Sequence, residues 1–274
     1  MFKIIIMALL IFIGMVGYDN ITDKAQPTTP VQQEQQKISK HEKSAAMALF
    51  TSLLPPKEEW PSPVHKFYLA FNMDEVIDPI RQNPNWTGLD AMSRDIPQAL
   101  IAIEDHAFYN HGAIAVEGIL RATLANINAG EVVQGGSTLT QQFVKNVFLS
   151  HEQSMERKIE EAVLSLMLED NYSKNEILEL YLNTTYFGAG STGIKQASKT
   201  YFGKAPSALT LAEAAVIASL PYAPTSLNPL ENPEGCKKRQ LLVLAAMHKY
   251  GMINQGQLAE AKAEKIHLTN GTFM

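Results

Sequence analysis

The sequence predicts a mainly α-helical domain over residues 88–265. Three observations carry this. Apolar residues recur at helical spacing in successive segments from Ser93 onward. Two capping boxes, Ser173-Lys-Asn-Glu176 and Thr210-Leu-Ala-Glu213, each open an apolar run. No stretch sustains the two-residue alternation of a half-buried strand.

The N-terminus reads differently from the rest. Lys3 precedes an apolar run over residues 4–18, IIIMALLIFIGMVGY, with no small-residue cleavage site after it. A charged start followed by such a run is a signal or an anchor, and we read residues 1–18 as a membrane anchor. Residues 19–43 hold Gln, Pro, Thr and Lys with almost nothing to bury, the composition of a flexible linker. Residues 44–87 are a connecting segment broken by Pro55, Pro56, Pro61 and Pro63.

From Ser93 a first helix carries Ala99, Leu100 and Ile103 on one face, with Pro97 in its opening turn. Residues 116–128 read as a second helix, stopped by Gly130. Ser137 is placed to cap a third, striped by Leu139, Phe143 and Val147. The next opens near Ser154, with Ile159, Val163, Leu166 and Met167 as its apolar face. The two capping boxes start the helices ILELYL and AAVIASL, and Pro221 ends the latter. A last helix is expected over 238–250, closed by Gly251.

At 46% hydrophobic and 19% charged residues the chain can bury a sizeable core. A net charge of −5 argues against a nucleic-acid partner, which selects a basic face. Cys236 is the only cysteine, so no disulfide forms within the chain and it reads as a small buried hydrophobe. No Ser-x-x-Lys and no Lys-Thr-Gly occurs, so the serine chemistry of penicillin binding is not expected of these residues.

The chemistry-bearing residues lie between Glu104 and Glu161. Glu104 leaves the apolar run ALIAI and is followed by EDHAFYNHG, an environment that partly desolvates a carboxylate and strengthens it as a base; the plain alternative is a solvated helix end. Gly135-Gly136-Ser137-Thr138 precedes a helix, where free backbone amides suit an anion, or serve only as a cap. Gln141 and Gln142 stand together opposite an apolar face and are expected to line a groove. Arg157, Glu161 and Ser165 share one polar face by their i, i+4, i+8 spacing, which is also the spacing of an ordinary surface ion pair. His111 reads as structural, holding the turn at Gly112.

These motifs in this order, EDHAFYNHG, QGGSTLTQQFVKN, MERKIEEAVLSLMLE, ILELYLNTTYFGAG and RQLLVLAAM, resemble the family 51 glycosyltransferases. Those are the peptidoglycan transglycosylases, found alone or as the first domain of class A penicillin-binding proteins. One departure stands out: many members carry an acid where this chain has Ala115.

The resemblance implies a lysozyme-like helical domain with a smaller, mobile membrane-proximal lobe between about 110 and 135. It implies glycan-strand polymerisation from lipid II, by inverting transfer of the growing chain to the 4-hydroxyl of GlcNAc with loss of undecaprenyl pyrophosphate. It makes Glu104 the catalytic base and Glu161 the second carboxylate. Glu161 either donates a proton or helps to neutralise the leaving pyrophosphate with Lys145, Arg157 and Lys158. Asp105, Ser137, Thr138, Gln142 and Arg239 complete the substrate contacts, and Asn183, Tyr186 and Gly188 shape the cleft. No cofactor is required, although a divalent cation, Mg or Mn, assists pyrophosphate release in the family. The implied partners are lipid II, the glycan strand, the membrane and other cell-wall synthesis proteins, on the outer side of the bacterial cytoplasmic membrane. A lysozyme-type peptidoglycan hydrolase and a non-catalytic glycan- or lipid-binding scaffold are the competing readings.

Overall fold

A computed structural model describes residues 68–69, 72–118, 127, 135–149 and 154–274. The chain divides into two compact units, residues 1–76 and 77–274. The expected anchor, the linker and the connecting segment through residue 67 lie outside the described residues. So do 119–126 and 128–134, which hold most of the expected second helix and of the membrane-proximal lobe. In the first unit, the Tyr68 phenol donates to Glu75 and Asn72 bonds back to the Tyr68 carbonyl at 2.9 Å.

The described residues are mainly helical, as the sequence predicts. They contain no β-strand, only the isolated antiparallel bridges Tyr186–Thr192 and His267–Phe273. In chain order the helices are α1 (Asp74–Arg81), α2 (Asp95–Glu104), α3 (Leu139–Phe148), α4 (Met155–Asn171), α5 (Lys174–Thr184), α6 (Ile194–Phe202), α7 (Leu211–Ser219), α8 (Pro233–Lys249) and α9 (Gln255–Ala263). Helical backbone is also seen at 116–118 and 127.

The core is built on α7. Every residue from Ala212 to Ser219 is buried, and its alanines let α2 and α8 approach on two sides. From α2 come Ile96, Ala99 and Leu100; from α8 come Cys236, Val243, Leu244 and Met247. Burial pushes the Cys236 thiol up to about 11, in keeping with an inert packing residue. Gln240 is fully buried in this seam and donates to the Ala212 carbonyl at 2.8 Å. A second layer packs α3 against α4 and α5. The site is positioned by both layers, since α2 ends at Glu104 and α3 begins beside it.

Both predicted capping boxes are present: Ser173 with Glu176 opens α5, and Thr210 with Glu213 opens α7. Glu213 is buried and also pairs with Lys204 at 2.6 Å. α7 gives way at Pro221 to a single 3₁₀ turn, Leu220–Tyr222.

Several boundaries differ from expectation for identifiable reasons. The cap of α3 is Thr138, one residue later than predicted, in a capping box with Gln141. α8 starts five residues before the expected 238, because Asn232 caps the Gly235 amide at 3.0 Å and Pro233 sits at the first position, where no N–H is needed. α6 buries a stripe of Ile194, Ala197, Tyr201 and Phe202 that the sequence reading did not use, while α9 buries only Leu258 and Ala261 behind an Asn254–Gln257 capping box. On α4 the predicted apolar face holds only in part: Met167 is buried, but Ile159 is exposed, and Glu161, Leu164, Ser165 and Leu168 turn inward with Met167. Spacing fixes which side chains share a face, but not whether that face meets water or another helix.

Candidate active site

Glu104 is the last residue of α2 and stands half-exposed. Its Oε2 accepts a hydrogen bond from Gln142 Nε2 at 2.9 Å. Gln142 Oε1 in turn accepts from the Tyr181 hydroxyl at 3.0 Å. Tyr181 is buried on α5; burial, with the nearby Glu104 charge, pushes its phenol far above the ordinary 10.0, so it stays protonated and donates. That bond fixes the amide's orientation and turns its N–H toward Glu104. Thr185, one turn further along, is also buried beside the phenol and tends to lower its pKa. Tyr181 is a functional residue the sequence reading missed. A tyrosine in the otherwise apolar ILELYL run was the available signal, because a buried phenol has to find a partner.

Asp105 follows Glu104 but turns inward. Its Oδ2 accepts from the Leu139 amide, the first of α3, at 3.0 Å, and its Oδ1 meets His111 Nε2 at 2.6 Å. The carboxylate thus sits at the α3 N-terminus, where unpaired amides and the helix dipole favour it. The other ring nitrogen of His111 lies 2.6 Å from the Gly112 carbonyl, so both nitrogens face acceptors. Burial opposes the charged imidazole, but the bonds to Asp105 and Gly112 and the charge of Asp105 outweigh it, and the His111 pKa rises. The structural role read for His111 holds, and Asp105 spends both oxygens on the same latch. Phe108 anchors the far end of this loop, fully buried under the Lys174 ammonium at 4.4 Å.

The turn before α3 joins the two halves of the site. Thr138 Oγ1 donates to the Ala113 carbonyl at 2.7 Å and accepts from the Gln141 amide at 3.1 Å. Gln141 therefore closes the capping box and is buried; it does not line a groove, as the sequence reading expected. Gln142, one position on, is the glutamine that reaches Glu104. Ser137 Oγ accepts from Lys158 Nζ at 3.1 Å.

Glu161 lies at the centre of a charge cluster. Arg157 donates to its Oε2 at 3.2 Å and Lys158 contacts its Oε1, while the glutamate side chain is only 3% exposed. Ser165 donates to the Glu161 backbone carbonyl at 2.6 Å. The Arg157 Nε is buried and has no hydrogen-bond partner, a donor left available in the site. Lys145 is exposed on α3, one turn beyond Gln142.

The sequence that carries these motifs matches known proteins. The family model for transglycosylases matches residues 73–248. The chain belongs to the transglycosylase family. Penicillin-binding protein 1A of Neisseria flavescens is 44% identical over 186 residues, covering 68% of this chain and 23% of that protein. A protein of Cupriavidus necator whose name assigns it to the transglycosylases is 39% identical over 194 residues, covering 71% of this chain and 84% of its own. A crystal structure of penicillin-binding protein 1A from Haemophilus influenzae covers 48% of this chain and 16% of its own at 33% identity, with a TM-score of 0.34, so the fold rests on the helices described above. The chain spans about a quarter of the length of the curated penicillin-binding proteins it matches.

In this transglycosylase domain the remaining predicted residues are spread more widely. Arg239 lies on α8; its guanidinium stacks on Tyr222 at 4.1 Å and its Nε is buried without a partner. No bond joins it to the Glu104 or Glu161 clusters among the described residues. Asn183 clamps residue 87 to α5, and Gly188 takes a φ of +88° where a Cβ would come within 2.2 Å of the Pro224 carbonyl oxygen. Tyr186 is exposed. No three His, Cys, Asp or Glu side chains gather as a cation site among the described residues. Both Glu161 oxygens are taken by cations, so this donor set does not suit a resident metal.

Proposed function

We propose that this domain polymerises peptidoglycan glycan strands from lipid II and releases undecaprenyl pyrophosphate. One observation carries the reading: a half-exposed carboxylate with a neutral partner and a group of cations flank the same helix turn, Ser137–Gln142. Glu104 takes the proton from the 4-hydroxyl of the acceptor GlcNAc. That oxygen forms a bond to C1 of the growing chain's terminal MurNAc from the face opposite the pyrophosphate. The bond from C1 to the pyrophosphate oxygen breaks with its electron pair, and the configuration inverts. The departing charge is met by Lys158, which Ser137 and Glu161 position, by the exposed Lys145 and by the guanidinium of Arg157.

The structure favours one of the two roles left open for Glu161. With an arginine and a lysine on its two oxygens, it holds cations toward the leaving group and is not the proton donor. Asp105 and Thr138, expected to contact substrate, act by setting the start of α3. No step is routed through a divalent cation.

Against the hydrolase reading stands the group of cations beside Ser137. A glycan hydrolase releases an uncharged sugar hydroxyl and has no use for the cations Lys145, Arg157 and Lys158, whereas a pyrophosphate leaving group needs them. We place the domain on the outer side of the cytoplasmic membrane, held by residues 1–18. Among the described residues no helix is long and apolar enough to cross a membrane. Recovery of residues 1–274 and 44–274 from fractionated cells tests the anchor; equal recovery of both in the soluble pool contradicts it. Incubating the protein with lipid II tests the reaction. Polymerisation yields a ladder of glycan chains and undecaprenyl pyrophosphate; shortening of pre-formed glycan with no use of lipid II supports the hydrolase instead.

A further inference from the structure

The mechanism leaves a second concave feature of the domain unused. It lies across α5 from the Glu104 relay, since Tyr181 and Asn183 are two positions apart and therefore about 200° apart around the helix. The cavity measures about 310 Å3, and its lining includes Asn83, Asn85, Trp86, Asn183, Thr192 and Gln196, with no charged side chain.

Its walls are held by their own hydrogen bonds. Asn183 spends every polar atom of its side chain: Oδ1 accepts from the Thr87 amide at 2.9 Å, while Nδ2 donates to the Thr87 and Glu179 carbonyls at 2.9 and 2.8 Å. This clamps the 83–87 turn to α5. Asn83 Oδ1 accepts from the Asn85 amide at 2.8 Å, and Gln196 Oε1 accepts from the Thr192 amide at 3.2 Å. Neither side chain can flip without losing that bond, so the ends left free, Asn83 Nδ2 and Gln196 Nε2, are both donors. Trp86 is half-buried and adds an indole N–H and an aromatic face. The ammonium of Lys195, next to Gln196 in sequence, is engaged by the Pro84 carbonyl at 3.0 Å.

A cation would find no carboxylate here, an anion no countercharge, and a lipid tail too many uncovered N–H groups. Neutral donors beside an aromatic face suit a ring that offers several oxygen acceptors on an apolar C–H surface. The volume lies at the lower end of small-ligand sites, roughly 300–1,000 Å3. We propose that this cavity is a secondary saccharide site that holds an uncharged N-acetylhexosamine unit of the glycan away from the reacting centre. The proposal rests on the polymerase reading for the identity of the sugar, and on the cavity alone for its chemistry.

The probe is the β-1,4-linked tetramer of N-acetylglucosamine, titrated into the full chain carrying Trp60→Phe. Trp86 is then the only tryptophan, because the sequence contains two. We expect a saturable change in Trp86 emission in the millimolar range. The Asn83→Ala/Gln196→Ala pair should weaken it about fivefold or more, the effect of losing about one net hydrogen bond, while initial lipid II consumption stays unchanged. An unsaturable response, or one that survives the double variant, overturns the site. If the sugar binds at Trp86 but lipid II is not consumed, the saccharide site stands and the polymerase reading fails. If lipid II is consumed and the sugar leaves Trp86 unaffected, the reverse holds.

Discussion

Glu104 ends a helix half-exposed, with a neutral amide 2.9 Å from one oxygen; Glu161 lies in mid-helix, 3% exposed, between an arginine and a lysine. The two carboxylates belong to one site and meet opposite surroundings. The first accepts one neutral hydrogen bond. The second is held by two cations, and a buried charge left unpaired is expensive. A pair of glutamates within one cleft is therefore not by itself evidence for an acid and a base. In the proposed reaction these surroundings assign proton removal to Glu104 and charge neutralisation to the Glu161 cluster.

The difference can be broken most severely at Glu104. Glu104→Gln keeps the shape and the bond to Gln142 but cannot accept a proton. Lipid II consumption should fall about 10²–10⁴-fold, the usual worth of a general base, with circular dichroism unchanged. Glu161→Ala should instead show in stability. Urea titration should give a loss toward the lower end of the ~3–5 kcal/mol that unpairing a buried charge costs, because Lys158 is 45% exposed and can turn to solvent. Equal stability of both variants would show that the two environments do not differ as described.

Tyr181→Phe sharpens the Glu104 side alone. It removes the donor that fixes the Gln142 amide, and steady-state rates should drop about tenfold or less, as expected for a net hydrogen bond of ~0.5–1.5 kcal/mol. The effect should appear in kcat more than in KM. A smaller, pH-dependent effect belongs to His111. Its folded pKa lies above the ordinary 6.5, so the folded protein holds this proton more tightly than the unfolded chain. The stabilisation is complete below about pH 6.5 and is lost as pH rises through the folded value. His111→Gln should abolish that part of the fall in urea midpoint on the alkaline side; an unchanged pH dependence would remove the His111–Asp105 latch. Asn232→Ala should cost about 1 kcal/mol as an ordinary cap, with activity intact, a reference for variants that touch only the scaffold.

Much of this was legible in the residues, for physical reasons that also explain the gaps. Capping boxes are local, so Ser173–Glu176 and Thr210–Glu213 could be read directly and proved correct. Helical spacing placed Arg157, Glu161 and Ser165 on one face, yet the face turned out to be buried, because the neighbour that covers a face is supplied by distant sequence. The Gln141–Gln142 pair shows the same limit. Adjacent residues with the same side chain are split by a 100° rotation into a cap and a partner of Glu104, and only the position of Thr138 decides which is which. The Tyr181 relay joins residues 39 and 38 positions apart in its two bonds, and no local pattern contains such a link.

The division of roles is tested most directly by the pH dependence of kcat/KM for lipid II in three folded proteins: wild type, Glu104→Gln and Glu161→Gln. A base that must be ionised gives the wild-type rate an acid limb that falls tenfold per pH unit. Glu104→Gln should lose that limb and show only a low, flat residual rate, while Glu161→Gln should be slower at every pH with the limb intact. An acid limb that persists in Glu104→Gln, or disappears in Glu161→Gln, would contradict the assignment of the proton to Glu104.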